Sequence, residues 1–371
     1  MDARSPHPYE SPPLERSFAL FGLGRRVCAL NVAVDHPSSR PHNAGQRSSG
    51  LHPGARVPAS PVKLIRDWAA LPDDARSGAV AIGNFEGVHR GHARIVEHLV
   101  AQARRVGGPA VVFTFDPHPV RLLRPALAPA SLSWTERKAQ LLVELGADFV
   151  IAYPTDAALL ELSPRQFFER IVRDKLDARA LVEGTNFYFG HGRAGTIDVL
   201  RSLAVEASIQ LEVVPPVVLD GEVVSSSGLR NLISAGAVDQ ASRLLTRPYR
   251  IRGTVVRGVG RGAPLGFPTA NLEHIDTLLP ALGVYAGWAD LGTSRWKAAI
   301  HIGPNPTFAE AAPKVEVHLI DAEAQLYGQT LEVEFLGRLR DVVRFPSVEA
   351  LRAQIARDVA TAREIGASAT A

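Results

Sequence analysis

The stretch Ala79-Val-Ala-Ile-Gly-Asn-Phe-Glu-Gly-Val-His-Arg-Gly-His92 decides the architecture of this chain. Its first letters, through Gly83, form an apolar run closed by glycine, the signature of a strand buried on both faces. A helix is predicted from about Gly91 to Arg105, so the glycine-rich segment between is a strand-to-helix turn. The same alternation continues outward. Strands are expected at Ala110–Phe115, Asp148–Tyr153, Ala180–Glu183 and Leu211–Val214. Helices with start signals lie between them. Ser133-x-x-Glu136 opens one that Gly146 closes, and Ser163-Pro164-x-Gln166 opens another, a capping box with Pro at the first helical position. Such alternation implies a parallel sheet covered by helices on both faces.

Two short helices are expected over Arg230–Leu245, after which the period changes near Pro248. Strands now recur without helices between them: Tyr249–Arg257, Gly283–Asp290, Trp296–Ile302, Val315–Ile320 and Leu331–Leu336. This pattern predicts a small antiparallel barrel, followed by a helix from Ser347 to about Ile365 with Val348, Leu351, Ile355 and Val359 as its covering face. The chain therefore divides into an extension over 1–60, an α/β domain over 61–247 and a barrel domain over 248–371.

Composition bounds the function. The chain has 371 residues, 46% of them apolar, with 41 Lys+Arg against 38 Asp+Glu and a formal charge of +3. That charge sits wholly in residues 1–60, which hold seven Arg, no Lys and four acids. A neutral body lacks the concentrated cationic face of a nucleic-acid binder. Residues 1–60 also contain eight Pro and eight Ser and read as disordered. A single cysteine, Cys28, permits neither an intramolecular disulfide nor a cysteine zinc site, so the cytoplasm is expected. The apolar run Phe18–Val34 is split by Arg25-Arg26 and too short to span a bilayer, and no membrane role is expected.

Several motifs bear on chemistry. His89 and His92 bracket the start of the predicted helix, where free N–H groups and the positive end of the dipole attract anions. Both imidazoles would reach one phosphate chain while Gly91 keeps the backbone close, an arrangement suited to nucleotidyl transfer. By spacing alone the pair also reads as surface decoration or two metal ligands. Thr114-Phe-Asp-Pro-His-Pro119 is either a ligand loop or a rigid turn. Gly184-Thr-Asn-Phe-Tyr-Phe-Gly190 with Gly192-Arg-Ala-Gly195 would form an aromatic slot for a planar ring, or a plain loop. Val224-Ser-Ser-Ser-Gly-Leu-Arg230 is a phosphate cluster or an ordinary Ser cap. Gly258-Val-Gly-Arg-Gly262 precedes no helix and reads as a flexible hairpin. In Gly266-Phe-Pro-Thr-Ala-Asn271, Thr269 and Asn271 share one strand face and would meet the same ligand or metal. Glu316 alternates with apolar neighbours; facing a cavity, it would act as general base on an alcohol.

In this order, from about Val62 to Arg363, the motifs resemble the bifunctional bacterial riboflavin kinase/FMN adenylyltransferase (FAD synthetase) family. The resemblance also includes Gly303-x-x-Pro-Thr-Phe308 and Val315-Glu-Val-His-Leu-Ile-Asp321 with Leu326-Tyr-Gly328 after it. It implies an α/β Rossmann-like nucleotidyltransferase domain, a small antiparallel β-barrel kinase domain with a C-terminal helix, and ATP, riboflavin, FMN, FAD and Mg²⁺ as substrates, products and cofactor. On that resemblance His89 and His92 hold the ATP phosphates and stabilise the transition state. Gly83, Asn84, Phe85, Gly91, Ser226 and Arg230 complete the phosphate site. Asn186, Phe187 and Arg193 meet the flavin. In the barrel, Gly266 and Thr269 bind ATP, Thr269 and Asn271 hold Mg²⁺, and Glu316 is the base. Glu86, Asp116 and His301 stand where the family pattern has Asp, Glu and Asn. An adenylyltransferase for another phosphorylated acceptor and a non-catalytic flavin sensor are the competing functional readings. Only small-molecule partners are implied, and no oligomeric state is assigned.

Overall fold

Alternation along the first central strand sends Val80 and Ile82 into one apolar cluster and Ala79 and Ala81 into another, so the strand is buried on both sides. The computed structural model describes residues 63–69, 71–304, 314–322 and 324–368, all within the unit Pro58–Ala371. The expected disorder of 1–60 and the Pro-Thr-Phe part of the Gly303–Phe308 motif lie outside these residues.

Six strands form the first sheet: β1 (Leu64–Ile65), β2 (Ala79–Ile82), β3 (Ala110–Asp116), β4 (Phe149–Pro154), β5 (Ala180–Gly184) and β6 (Gln210–Val214). Their order is β1-β4-β3-β2-β5-β6, and every neighbouring pair is parallel. Helices α1 (Arg90–Val106), α2 (Pro119–Leu123), α3 (Thr135–Glu144), α4 (Ala157–Leu160), α5 (Pro164–Phe167) and α6 (Ile197–Glu206) lie between the strands, α5 running on as a π-helix over Phe168–Lys175. α1 and α3 pack Val96, Leu99, Ala139 and Leu142 onto one face; α5, the π-helix and α6 pack Phe167, Phe168, Leu200 and Leu203 onto the other. Each of the buried Val, Leu and Phe side chains among these contributes roughly 1.5–3 kcal/mol.

A hairpin, β7 (Val218–Leu219) and β8 (Glu222–Val223), leads to α7 (Ser226–Ser234) and α8 (Val238–Leu244). The closed antiparallel barrel follows: β9 (Arg250–Val256), β10 (Ala270–Glu273), β11 (Gly283–Asp290), β12 (Arg295–Gly303), β13 (Lys314–Leu319) and β14 (Thr330–Arg340), in the order β10-β13-β12-β11-β14-β9. Helix α9 (Val348–Ser368) covers it with Ile355, Val359, Ala362 and Ile365. Leu229, Ile233, Val238, Ala241 and Leu245 share one apolar core with barrel residues such as Tyr249, Ile251 and Phe335. Helices α7 and α8, which precede the barrel in sequence, are thus part of its packing. No helix among the described residues is long and apolar enough to cross a membrane.

Some local expectations are corrected. The capping box at Ser163 is present, with both reciprocal hydrogen bonds and Pro164 at the first position. The helix expected after Ser133 is present as α3, but it starts after Trp134 with no side-chain cap: the Ser133 hydroxyl is buried without a partner, and Thr135 donates to Asp116 at 2.7 Å. The pattern around Ser133 matched because spacing cannot report where a neighbouring strand supplies the acceptor. The short strands β1, β7 and β8 escaped the reading because two residues carry no periodicity. The glycine loop at 258–262 is followed by a single 3₁₀ turn, Ala263–Leu265, rather than by no helical turn at all.

The sheet order places the first site. Successive strands run from β2 to β4 on one side of β2, and the chain then crosses to β5 on the other. Ligands of open α/β sheets bind beyond the carboxyl ends of strands at such a reversal, here between β2 and β5.

Candidate active sites

The turn after β2 is tightly wound. Phe85, Gly87 and Val88 all have φ in the left-handed region, +47°, +74° and +41°. For a β-branched valine this is strain of about 1–3 kcal/mol, of the kind found at ligand sites. Phe85 is buried in the core, and its ring lies 5.1 Å from that of His92, so it supports an imidazole rather than facing a ligand. A side chain at Gly83 would meet the Phe85 ring at 3.2 Å, and one at Gly91 would meet the His89 imidazole at 3.1 Å.

His89 caps α1, its Nδ1 accepting from the His92 backbone N–H at 3.3 Å, which leaves the ring proton on Nε2. The two imidazoles are stacked, centroids 3.6 Å apart and 14° from parallel. Burial pulls the His89 pKa down to about 4. Burial, reinforced by the charges of His89 and Lys138, holds His92 well below its ordinary value. Both rings are therefore neutral donors near pH 7. The His92 Nδ1 and the Asn84 Oδ1 are buried without any partner in the protein, the state expected of groups that complete their bonding on a ligand.

Glu86 ties three of the sequence motifs together. Its side chain, 6% exposed, accepts from Lys138 Nζ at 2.9 Å and from the Leu132 N–H at 2.8 Å, and lies 3.6 Å from the Arg230 guanidinium. Ser226 donates to the Glu86 carbonyl at 3.1 Å, while Ser225 is the cap of α7, accepting from Gly228. Arg230 also donates to the Ala130 carbonyl at 3.0 Å. His118, from the Thr114–Pro119 loop, feels the charges of Glu86, Lys138, Arg230 and Arg121, with burial the main reason its pKa is lowered. Two cations against one carboxylate leave the pocket positive, as an anionic ligand requires.

The loop after β5 contributes less than its composition suggests. Phe187 and Phe189 stack on each other at 5.4 Å and pack against the core, so they do not form the expected open slot. Tyr188 is exposed with the Arg193 guanidinium 4.6 Å above its ring, and Asn186 is exposed beside Gly184. Sequence reading passed over Lys138, which no spacing marks. It also passed over Glu183, whose signal was an acid closing an apolar strand.

The barrel holds a cavity lined among others by Thr269, Asn271, His301, Glu316, Arg340 and Asp358. Asn271, Glu316 and His301 are direct neighbours across β10, β13 and β12. Val315 and Val317 turn inward, leaving Glu316 on the cavity side, its carboxylate 3.7 Å from His301 Nδ1. The glycine loop closes on these groups: a Cβ at Gly258 would lie 2.2 Å from the Asn271 amide, and one at Gly262 would lie 3.6 Å from the Thr269 hydroxyl. Gly266 adopts φ +88° after the 3₁₀ turn, which only glycine takes without strain. Arg340 grips Asp358 with contacts of 2.8–3.2 Å, fastening α9 to the barrel beside the cavity. Among the described residues no three His, Cys, Asp or Glu side chains form a metal cluster.

Comparison with known proteins finds relatives for both parts of the chain. The family model for FAD synthetase matches residues 71–228 and that for riboflavin kinase matches residues 245–366. A bifunctional riboflavin kinase/FMN adenylyltransferase from Pseudomonas fluorescens is 38% identical over 307 residues, covering 82% of this chain and 98% of the relative. The protein of the same description from Escherichia coli K12 is 34% identical, covering 82% and 97%. A crystal structure from Streptococcus pneumoniae, described as a macrolide-efflux protein, matches with a TM-score of 0.71 and 28% identity over 81% of this chain and 98% of that one.

Proposed function

The chain belongs to the bifunctional riboflavin kinase/FMN adenylyltransferase family, and on that premise we propose how its residues divide the work. It phosphorylates riboflavin with ATP to give FMN, then transfers AMP from a second ATP to FMN, giving FAD and pyrophosphate. We assign the second step to residues 61–247 and the first to 248–371.

In adenylyl transfer a phosphate oxygen of FMN attacks the α-phosphorus of ATP, and the bond to the pyrophosphate oxygen breaks. Negative charge spreads over the non-bridging oxygens and the leaving group. His89 and His92 donate to these oxygens as neutral imidazoles, while the start of α1, Lys138 and Arg230 supply positive potential. Ser226 and Gly91 keep the turn close around the phosphates, and Asn84 offers its unpartnered carbonyl to the nucleotide. Asn186 and Arg193 meet the flavin at the mouth of the crevice. No covalent intermediate is needed, because positioning and charge stabilisation lower the barrier. The observation that carries this assignment is the stack of two neutral, buried imidazoles at the start of α1.

In the barrel Glu316 takes the proton of the ribityl 5′-hydroxyl as that oxygen attacks the γ-phosphorus and ADP departs. The glycines from 258 to 266 lie along the ATP phosphates. Thr269 and Asn271 are hard oxygen donors of the kind Mg²⁺ prefers. When bound there, Mg²⁺ neutralises phosphate charge. Both steps consume ATP and need only small-molecule partners, so we place the enzyme in the cytoplasm.

Chromatography of riboflavin, FMN and FAD over time tests the division. His92→Ala is expected to lower FAD formation by about 10²-fold or more with FMN formation from riboflavin unchanged, and Glu316→Ala to lower FMN formation from riboflavin with FAD formation from supplied FMN unchanged. Loss of both activities in one folded variant would contradict two separate sites.

A further inference from the structure

One buried carboxyl lies between the two strands that frame the adenylyl-transfer site. β2 and β5 pair at only two positions, Ala79 with Ala180 and Val80 with Leu181. Beyond these they part: Ile82 keeps its partner Phe113 on β3, and Glu183 keeps Val213 on β6. Parting strands leave backbone donors without a ladder acceptor, and a buried donor needs another. Glu183 fills this need. Its Oε1 accepts the Ile82 N–H at 2.7 Å, and the residue is only 2% exposed. Ile82 directly precedes the Gly83–His92 turn, and Glu183 directly precedes the Gly184–Gly195 loop.

We propose that Glu183 is a positioning residue for adenylyl transfer, its carboxyl bridging the gap between β2 and β5 so that the two ligand loops stand at a fixed separation. The proposal rests on the adenylyl-transfer reading of this crevice. Burial also pushes the Glu183 carboxyl well above the usual range, so the bridge adds no negative charge beside an incoming polyphosphate. Without the bridge, the Ile82 N–H is left unsatisfied or hydrated and the His-bearing turn loses its tether at the site where small displacements cost most.

The test uses the full chain, with Glu183→Ala and Glu183→Gln compared against wild type. FAD formation is measured at saturating FMN over a range of ATP, FMN formation from riboflavin serves as the internal control, and thermal melting reports folding. Glu183→Ala is expected to lower kcat/KM for ATP in adenylyl transfer by about tenfold or more, the effect of losing one buried acceptor. Glu183→Gln keeps an acceptor oxygen and is expected to stay within about threefold of wild type, with the kinase step within about twofold in both. Three results would each overturn the proposal: Glu183→Ala as active as wild type, no rescue by glutamine, or both activities falling together with the melting temperature. Failure of wild-type protein to make FAD would overturn the adenylyl-transfer reading itself, and this proposal with it.

Discussion

The neutral state of His89 has a measurable price in acid. Burial holds its pKa at about 4, against 6.5 for the unfolded side chain. As pH falls, protons bind the unfolded chain first, so the stability tied to the neutral ring is complete above about pH 6.5 and is lost toward pH 4. At about pH 4.5 the linkage amounts to about 2.5 kcal/mol, and at about pH 7.5 to almost nothing. His89→Asn removes the titration while keeping a residue that caps helices well. Urea unfolding followed by circular dichroism at the two pH values gives the comparison. A single transition is expected because α7 and α8 share the barrel core. The stability difference between wild type and variant is expected to move by about 2.5 kcal/mol in favour of the variant on acidification. Relief of His92 from its charged neighbour acts in the same direction. A shift below about 0.5 kcal/mol would mean that His89 is hydrated in the free protein, and the argument for neutral donors would fail.

Two further substitutions probe one site each. Glu86→Gln leaves Lys138 buried without its countercharge and is expected to cost about 3 kcal/mol in urea unfolding, since the ion pair is 2.9 Å long and both side chains are 6% exposed; an unchanged midpoint would show the pair to be hydrated. Gly258→Ala places a Cβ 2.2 Å from the Asn271 amide, so FMN formation is expected to fall by about tenfold or more while FAD formation from supplied FMN is unchanged; retained kinase activity would remove Asn271 from the proposed Mg²⁺-binding pair.

Legibility differed between the two sites for a physical reason. Period-2 alternation exposes the barrel strands and puts Glu316 opposite Val315 and Val317 from sequence alone. The same rule did not reveal that Asn271 and His301 flank Glu316, since register between distant strands is set by barrel closure. In the α/β domain the Gly83–His92 turn was readable because strand, glycine and helix signals are local. The aromatics in the loop after β5 read in sequence as either a flat-ring slot or a plain loop; Phe189 is buried in the core and Phe187 packs partly buried against it, and hydrophobic letters do not say which apolar surface they will cover.

By itself, the sequence determined the order of the longer strands and helices, the change of period near Pro248, the place of the imidazoles at a helix start, and the family resemblance, because each is written in neighbouring residues. Tertiary structure alone decided the charge state of those imidazoles and the partners of the carboxylates. His89 and His92 are neutral because other segments exclude water from them. Glu86 and Glu183 meet Lys138 and the Ile82 N–H across 52 and 101 residues of chain. Desolvation and long-range hydrogen bonding depend on which segments pack together, and no local pattern records that.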